Sequence, residues 1–140
     1  MATINPYLNF NGNAEEAFNF YKAVFGGEFA VLQRYREMPG DEKVSESQKE
    51  KILHVALPIG KDDVLMGSDA PEQMEHVNFG NNFHISISVD GKEEAQRVFE
   101  GLSKGGEVQM PLADAFWGAY FGMVADKFRV QWMVSYTYKK

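Results

Sequence analysis

The chain has 140 residues with 14 lysines and arginines, 20 aspartates and glutamates, three histidines and no cysteine, which fits one domain and excludes disulfides, thiolate metal sites and a cysteine nucleophile. The net charge of −6 argues against a nucleic-acid partner, because a general nucleic-acid binder needs a basic face. No apolar run is long enough to cross a membrane and no secretion signal is recognisable, so we expect a cytoplasmic protein with no membrane partner.

The first half of the chain contains one predicted helix among short strands. Its predicted elements are a strand over 4–10, a helix between Asn13 and Gly26-Gly27, a strand over 28–36, a polar loop over 37–50, and strands over 51–59 and 63–68. Asn13 is a suitable N-cap, and the helix should end at the glycine pair. Apolar side chains at helical spacing predict its buried face: Ala17, Phe20, Tyr21, Val24 and Phe25.

The second half repeats this order after a polar segment. Its predicted elements are a strand over 83–89, a helix that begins near Glu93 and ends near Gly105, and strands over 107–110, 119–125 and 129–138. Helical spacing places Ala95, Val98, Phe99 and Leu102 on one face of that helix.

The two halves match each other. Glu15-Glu16-Ala17 lies 78 residues before Glu93-Glu94-Ala95, and Gly26-Gly27-Glu28 returns as Gly105-Gly106-Glu107 at an offset of 79. Each half reads as strand, helix and three strands. We therefore predict an internal duplication within a single domain over 1–140, with module one at about 1–70, a polar connector at about 70–82 and module two at about 81–140.

Several phrases spread along the chain carry a family resemblance. They are Pro6-Tyr7-Leu8-Asn9-Phe10-Asn11-Gly12-Asn13, Val64-Leu65-Met66-Gly67-Ser68-Asp69, Phe116-Trp117-Gly118, Asp126-Lys127-Phe128 and Gln131-Trp132-Met133. With them the chain resembles the vicinal oxygen chelate superfamily (glyoxalase/bleomycin resistance/dioxygenase), and within it the PhnB-like branch, often named after 3-demethylubiquinone-9 3-methyltransferase. The resemblance implies an α+β fold in which two βαβββ modules form a curved mixed sheet with a central cup, and it implies a homodimer.

The superfamily's enzymes hold a divalent metal with His or Glu side chains on the first and last strand of each module. Here His84 matches one such position, and its repeat partner at an offset of 78 is Pro6, which has no ligand atom. Met133 stands where a glutamate is expected, and its partner lies close to Met66. Thioethers are poor ligands for hard or borderline ions, so we expect no metal site of the usual kind.

Further departures and candidate contacts follow from the same resemblance. Arg129 stands where the PhnB-like pattern has glycine, which argues against a tight glycine turn there. No segment resembles a nucleotide or S-adenosylmethionine site, so we expect no cofactor. His84 and His54 are each either a pocket residue or a polar strand residue bonded to a neighbour. The predicted ligand-binding set is His54, His84, Trp117, Trp132, Met133 and Met66, of which the aromatic residues and methionines could equally be core.

Three functions remain open at this point. The first is a PhnB-like protein that binds a small organic molecule in the cup without the usual metal. The second is a metal-dependent lyase, isomerase or oxygenase with displaced ligands, using His54 and His84 with a carboxylate such as Glu107 or Asp69. The third is a drug-sequestering protein like the bleomycin-resistance group, whose cationic drugs would suit the negative net charge.

Overall fold

The computed structural model describes residues 1–38, 44–74 and 76–138 of the chain and divides into two compact units, Met1–Asn78 and Phe79–Lys140. The first unit contains β1 (Tyr7–Phe10), α1 (Ala14–Phe25), β2 (Val31–Arg34), α2 (Glu46–Lys49), β3 (Ile52–Ile59) and β4 (Asp63–Asp69). The second unit contains β5 (Ile85–Ser88), α3 (Lys92–Ser103), β6 (Glu107–Ala115), β7 (Ala119–Ala125) and β8 (Gln131–Thr137).

Each unit forms one four-stranded sheet with the same strand order. The order is β1-β4-β3-β2 in the first unit and β5-β8-β7-β6 in the second. In both sheets the first strand pairs parallel to the last, and the other pairs are antiparallel. The helices α1 and α3 have 12 residues each. The predicted α+β fold with two βαβββ modules is therefore confirmed.

In the first unit, α1 packs on β3 and β4. Its buried residues are Ala14, Ala17, Phe18, Tyr21 and Val24. The prediction is confirmed for Ala17, Tyr21 and Val24. It was wrong for Phe20 and Phe25, which are only half-buried, and Phe18 is buried instead. Gly67 of β4 explains the close packing, since a Cβ atom there would lie 2.7 Å from the Phe18 ring.

In the second unit, α3 packs on β6, β7 and β8. The predicted helix face is confirmed, because Ala95, Val98, Phe99 and Leu102 are its buried residues. Gly122 of β7 has the same role as Gly67, since a Cβ atom there would lie 2.7 Å from the Phe99 ring. Among the described residues, no helix is long and apolar enough to span a membrane.

Because side chains alternate along a strand, each sheet has one face covered by its helix and one opposite face, which we call the open face. Leu65 and Trp132 lie on the helix-covered faces and are fully buried. Their neighbours Met66 and Met133 therefore lie on the open faces, and both are half-buried.

Two predicted boundaries were wrong for local reasons. The strand predicted over 28–36 is shorter, because a 3-10 turn begins at Tyr35. The strand predicted over 107–110 continues through Pro111 to Ala115, which is possible because β6 is an edge strand and needs no ladder bond from the proline. The predicted loop over 37–50 contains α2, and its residues 39–43 lie outside the described part of the chain.

The N-terminus of α1 is held by a side chain from the far end of its unit. Asn13 occupies the N-cap position, but its side chain makes no capping hydrogen bond. Instead, Asp69 Oδ1 accepts the backbone N–H groups of Gly12 at 3.0 Å and Ala14 at 2.9 Å, and its Oδ2 accepts that of Ile52 at 2.8 Å. The negative charge of this buried carboxylate also interacts favourably with the positive N-terminal end of the helix dipole.

The turn between β7 and β8 forms around a second buried carboxylate. Asp126 accepts the N–H groups of Phe128 and Val130 and the indole N–H of Trp132. Arg129 lies in the left-handed region with a φ of 74° and donates its backbone N–H to the Asp126 carbonyl at 2.9 Å. The expectation that arginine would prevent this tight turn was wrong, because the Asp126 bonds enforce it.

Candidate functional site

A hydrogen-bonded series of polar side chains lies at one end of the open face in the second unit. We call this series, formed by His84, Gln109 and Gln131, the polar chain. His84 Nε2 and Gln109 Oε1 are 2.8 Å apart, and Gln109 Nε2 donates to Gln131 Oε1 at 2.8 Å. Gln131 Nε2 in turn donates to the backbone carbonyl of Phe83 at 2.6 Å. These hydrogen bonds connect the segment just before β5 with strands β6 and β8, and all three elements position the imidazole.

Apolar side chains occupy the open face beside this polar chain. Met133 of β8 pairs with Ser86 of β5 and Met123 of β7. Trp117 lies at the tip of the β6–β7 hairpin, is 56% exposed, and contacts the Phe121 ring edge-on at a centroid distance of 5.3 Å. Methionine and aromatic side chains together form a surface that adapts to small ligands.

A groove of about 680 Å³ adjoins the polar chain. It is lined by Gln109 and Gln131 from that chain and by the charged residues Glu107, Asp126, Lys127 and Arg129. The volume falls in the range of small-molecule sites. The same two amides therefore contact both the groove and, through Gln109, the imidazole of His84.

The open face of the first unit carries a second imidazole. His54 of β3 stacks on Tyr7 of β1, with the ring centroids 5.7 Å apart and an angle of 16° between the planes. The Tyr7 hydroxyl lies 3.4 Å from His54 Nδ1, a long hydrogen bond. Met66 pairs with Tyr7 on one side and Ala56 on the other.

Trp132 does not lie with the other predicted ligand residues. It is fully buried on the helix-covered face of its sheet, where its indole N–H donates to Asp126 Oδ2 at 2.8 Å. A side chain without exposed surface has no area to offer a ligand. We therefore assign Trp132 to the core of the second unit.

Strand pairing corrects the predicted repeat partner of His84. With Met66 and Met133 taken as repeat partners, as the sequence predicts, Tyr7 beside Met66 corresponds to Ser86 beside Met133. His84 lies two residues before Ser86, so its counterpart is Asn5 rather than Pro6. The Asn5 side-chain oxygen accepts the backbone N–H of Val64 at 3.0 Å.

These positions do not fit the superfamily's divalent metal. They offer one imidazole, two thioethers and one amide oxygen that already accepts a hydrogen bond. Open catalytic sites use about three nitrogen or oxygen ligands. Within residues 1–38, 44–74 and 76–138, no three His, Asp or Glu side chains are grouped so that they could hold a metal ion.

A dinucleotide cofactor, whose phosphates bind free N–H groups at the start of a helix, does not fit the strand-to-helix turns either. The N–H groups of Gly12 and Ala14, at the start of α1, are both bonded to Asp69. At the start of α3, the backbone N–H of Asp90 donates to Glu94. A nucleotide cofactor needs such N–H groups for itself.

Hydrogen-bonded side chains perturb two pKa values, one in each unit. The Arg34 guanidinium donates to Glu15 at 3.0 and 2.7 Å and lowers the pKa of that carboxyl below its ordinary value. In the second unit, the hydrogen bond to Asp114 raises the pKa of Tyr138 to about 12. Arg34 pairs opposite Ile52 and Asp114 opposite Tyr120, so both pairs lie on the helix-covered sides of their sheets.

The sequence analysis missed Gln109, Gln131 and Tyr7 as members of these clusters. Gln131 stands within the phrase Gln131-Trp132-Met133 that carried the resemblance, and alternation from Met133 would have placed it on the open face. Gln109 could not be found in this way, because β6 changes register between Val108 and Met110.

Comparison with known proteins agrees with this geometry. A protein of Pseudomonas aeruginosa, PA1353, has a crystal structure that matches with a TM-score of 0.86 and 39% identity over 98% of both chains. A putative 3-demethylubiquinone-9 3-methyltransferase, PhnB protein, from Bacillus cereus matches with a TM-score of 0.77 and 27% identity, over 97% of this chain and all of that one. A glyoxylase/bleomycin resistance protein/dioxygenase domain from Frankia shares the fold, with a TM-score of 0.69, 11% identity and coverage of 99% and 98%.

The family model described as 3-demethylubiquinone-9 3-methyltransferase matches residues 2–135. That match spans both units and includes every strand except the last two residues of β8. The chain therefore belongs to this PhnB-like family, within the glyoxalase/bleomycin resistance/dioxygenase fold.

Proposed function

We propose that this protein binds a small organic molecule on the open face of its second unit, without the superfamily's divalent metal. The observation that carries the proposal is the imidazole of His84, whose Nε2 is held by Gln109 at 2.8 Å. Among the described residues, no group is hydrogen-bonded to its Nδ1. A fixed imidazole with one unpartnered nitrogen is suited to recognising a polar atom of a ligand.

The apolar side chains beside the polar chain support an uncharged part of the ligand. Met133 replaces a carboxylate at the position where the superfamily's enzymes bind metal, and Met123 lies beside it. Trp117 and Phe121 add aromatic surface at the other end of β7. A charged group placed against these thioethers and aromatic rings would lose hydration without a matching charge, whereas the adjoining groove offers Glu107, Lys127 and Arg129.

The displaced-ligand metal enzyme receives less support. Both oxygens of Asp69 accept backbone N–H groups, so that carboxylate is not available as a ligand. Glu107 lines the groove, but one carboxylate and one imidazole leave the second unit short of about three ligands. His54 has Tyr7 as its partner in the first unit.

Fragment binding tests the ligand half of the proposal. We expect saturation-transfer NMR to detect phenol and benzyl alcohol on the wild-type protein. His84→Ala should weaken both by about threefold to tenfold, the worth of one neutral hydrogen bond. His76→Ala is the matched control, because His76 is exposed in a loop of the first unit. Equal binding by wild type and His84→Ala would contradict the assignment.

Calorimetric titration with zinc, nickel, manganese and iron(II) tests the metal half. We expect no stoichiometric binding to metal-free protein, and no metal in elemental analysis of protein purified without a chelator, because the four positions lack carboxylates. One equivalent of metal per chain that is bound by wild type and His76→Ala but not by His84→Ala would refute the metal-free site and favour the enzyme.

The family resemblance leads us to propose a homodimer as well. Phe116 is 98% exposed beside Trp117 at the β6–β7 hairpin, which is unusual for two large aromatic side chains. Sedimentation equilibrium should give twice the mass of 15.8 kDa. A monomer at concentrations of about 100 μM, well above the micromolar range of ordinary interfaces, would contradict it.

A further inference from the structure

One backbone carbonyl determines how the two amide groups of the polar chain are oriented. A carbonyl oxygen can only accept a hydrogen bond, so the Gln131 atom 2.6 Å from the Phe83 carbonyl must be the amide nitrogen. The amide oxygen of Gln131 then faces Gln109. An oxygen again needs a donor, so Gln109 must present its own nitrogen to Gln131.

The same logic reaches the imidazole. With its nitrogen turned to Gln131, Gln109 presents its oxygen to His84 Nε2 at 2.8 Å. That oxygen requires a proton on Nε2. The opposite tautomer would need both amides reversed, which would bring the Gln131 oxygen against the Phe83 carbonyl at 2.6 Å. Two acceptors at that separation repel each other and leave a polar group unsatisfied.

We propose that Gln109 and Gln131 are positioning residues that hold the neutral His84 as its Nε2–H tautomer, so that Nδ1 acts only as an acceptor. The ligand class then follows, and in that respect the inference rests on the proposed function. The site selects molecules that offer a hydrogen-bond donor, such as a phenol, an alcohol or an amide N–H. It disfavours carboxylates and ethers, whose oxygens would face the Nδ1 lone pair.

Histidine-selective ¹⁵N NMR measures the tautomer without any ligand. We expect His84 to be protonated on Nε2 alone, whereas the exposed His76 serves as an internal reference that samples both tautomers. Gln109→Lys replaces the acceptor with a donor and should move the His84 proton to Nδ1. A wild-type His84 protonated on Nδ1, or a tautomer unchanged in Gln109→Lys, would overturn the positioning role.

Gln33→Lys is the matched control for this substitution. Like Gln109, Gln33 lies on an edge strand of its sheet, where it pairs opposite His54. The variant therefore adds the same positive charge in a similar place, but in the first unit. It should leave the His84 tautomer unchanged. A shift in His84 caused by Gln33→Lys would mean that added charge, not the amide chain, sets the tautomer.

Phenol and anisole test the ligand class, because they differ mainly in the hydroxyl proton. Wild type should bind phenol about threefold to tenfold more tightly than anisole, and Gln109→Lys should reduce or reverse that ratio. Equal affinities in wild type would overturn the donor preference. If neither fragment binds while His84 switches tautomer as expected, the proposed function fails and the positioning role stands, so the two failures are distinguishable.

Discussion

Replacing Asp69 with asparagine changes one oxygen of a buried carboxylate into an amide nitrogen. In the wild type, Oδ1 accepts the N–H groups of Gly12 and Ala14, and Oδ2 accepts that of Ile52. The asparagine oxygen can keep the first two bonds. Its NH₂ group then faces the Ile52 N–H, and two donors cannot bond to each other.

The energetic cost has two parts. The Ile52 N–H becomes a buried donor without an acceptor, which costs about 1 to 3 kcal/mol. The bonds from Gly12 and Ala14 change from charge-assisted to neutral, a loss of about 1 kcal/mol each. Asp69→Asn should therefore lower the free energy of unfolding by about 3 to 5 kcal/mol, a large share of the roughly 5 to 15 kcal/mol typical of a domain.

Urea denaturation followed by far-UV circular dichroism measures this loss, and hydrogen exchange at the Ile52 amide locates it. The matched control is Asp63→Asn, which makes the same change at the exposed start of β4 and should stay within about 0.5 kcal/mol of wild type. If Asp69→Asn loses less than about 1 kcal/mol and Ile52 keeps its exchange protection, the carboxylate does not anchor α1 and β3 as argued.

Three further predictions concern single contacts. Arg129→Gly should stabilise the protein by about 0.5 to 1 kcal/mol because it relieves a φ of 74°, whereas Arg129→Ala should give no such gain; equal effects would show that charge, not backbone conformation, matters. Glu15→Gln should lower stability at neutral pH by at most about 1 kcal/mol, since the pair with Arg34 is partly exposed. The lowered pKa of Glu15 means that this difference disappears as pH falls through it, and a difference that grows in acid would contradict the pairing. Asp114→Ala should bring the pKa of Tyr138 from about 12 down towards about 10, read as the tyrosinate absorbance lost in Tyr138→Phe.

The repeat made most of the fold predictable from the sequence. Helix breakers and apolar spacing located both helices, and the matched order of elements implied two equivalent modules. Helical spacing did not decide between Phe18 and Phe20 of α1, because both are aromatic. Only the close contact with Gly67 selects Phe18 as the buried residue. Likewise, the strand through Pro111 depends on an edge position that only the strand order reveals.

The candidate site was harder to predict, since its contacts depend on register. The sequence placed His84 on an open face by resemblance, but its bond to Gln109 follows a shift in the pairing of β6 that no periodicity encodes. The repeat offset of 78 selected Pro6 as the partner of His84, and one residue of slippage in β1 makes it Asn5. Trp132 was predicted to line an apolar cavity with Met66 and Met133, although alternation from Met133 places it on the opposite face.

The buried carboxylates among the described residues hold the fold together. The two buried aspartates among the described residues, Asp69 and Asp126, each accept three hydrogen bonds from their own unit, so the fold itself uses both. The polar chain at the second open face consists instead of an imidazole and two amides beside thioethers. An imidazole and two amides supply hydrogen-bond donors and acceptors without a fixed charge. They match the donors and acceptors of a neutral ligand, and for this reason the comparison of phenol with anisole addresses function as directly as a search for turnover.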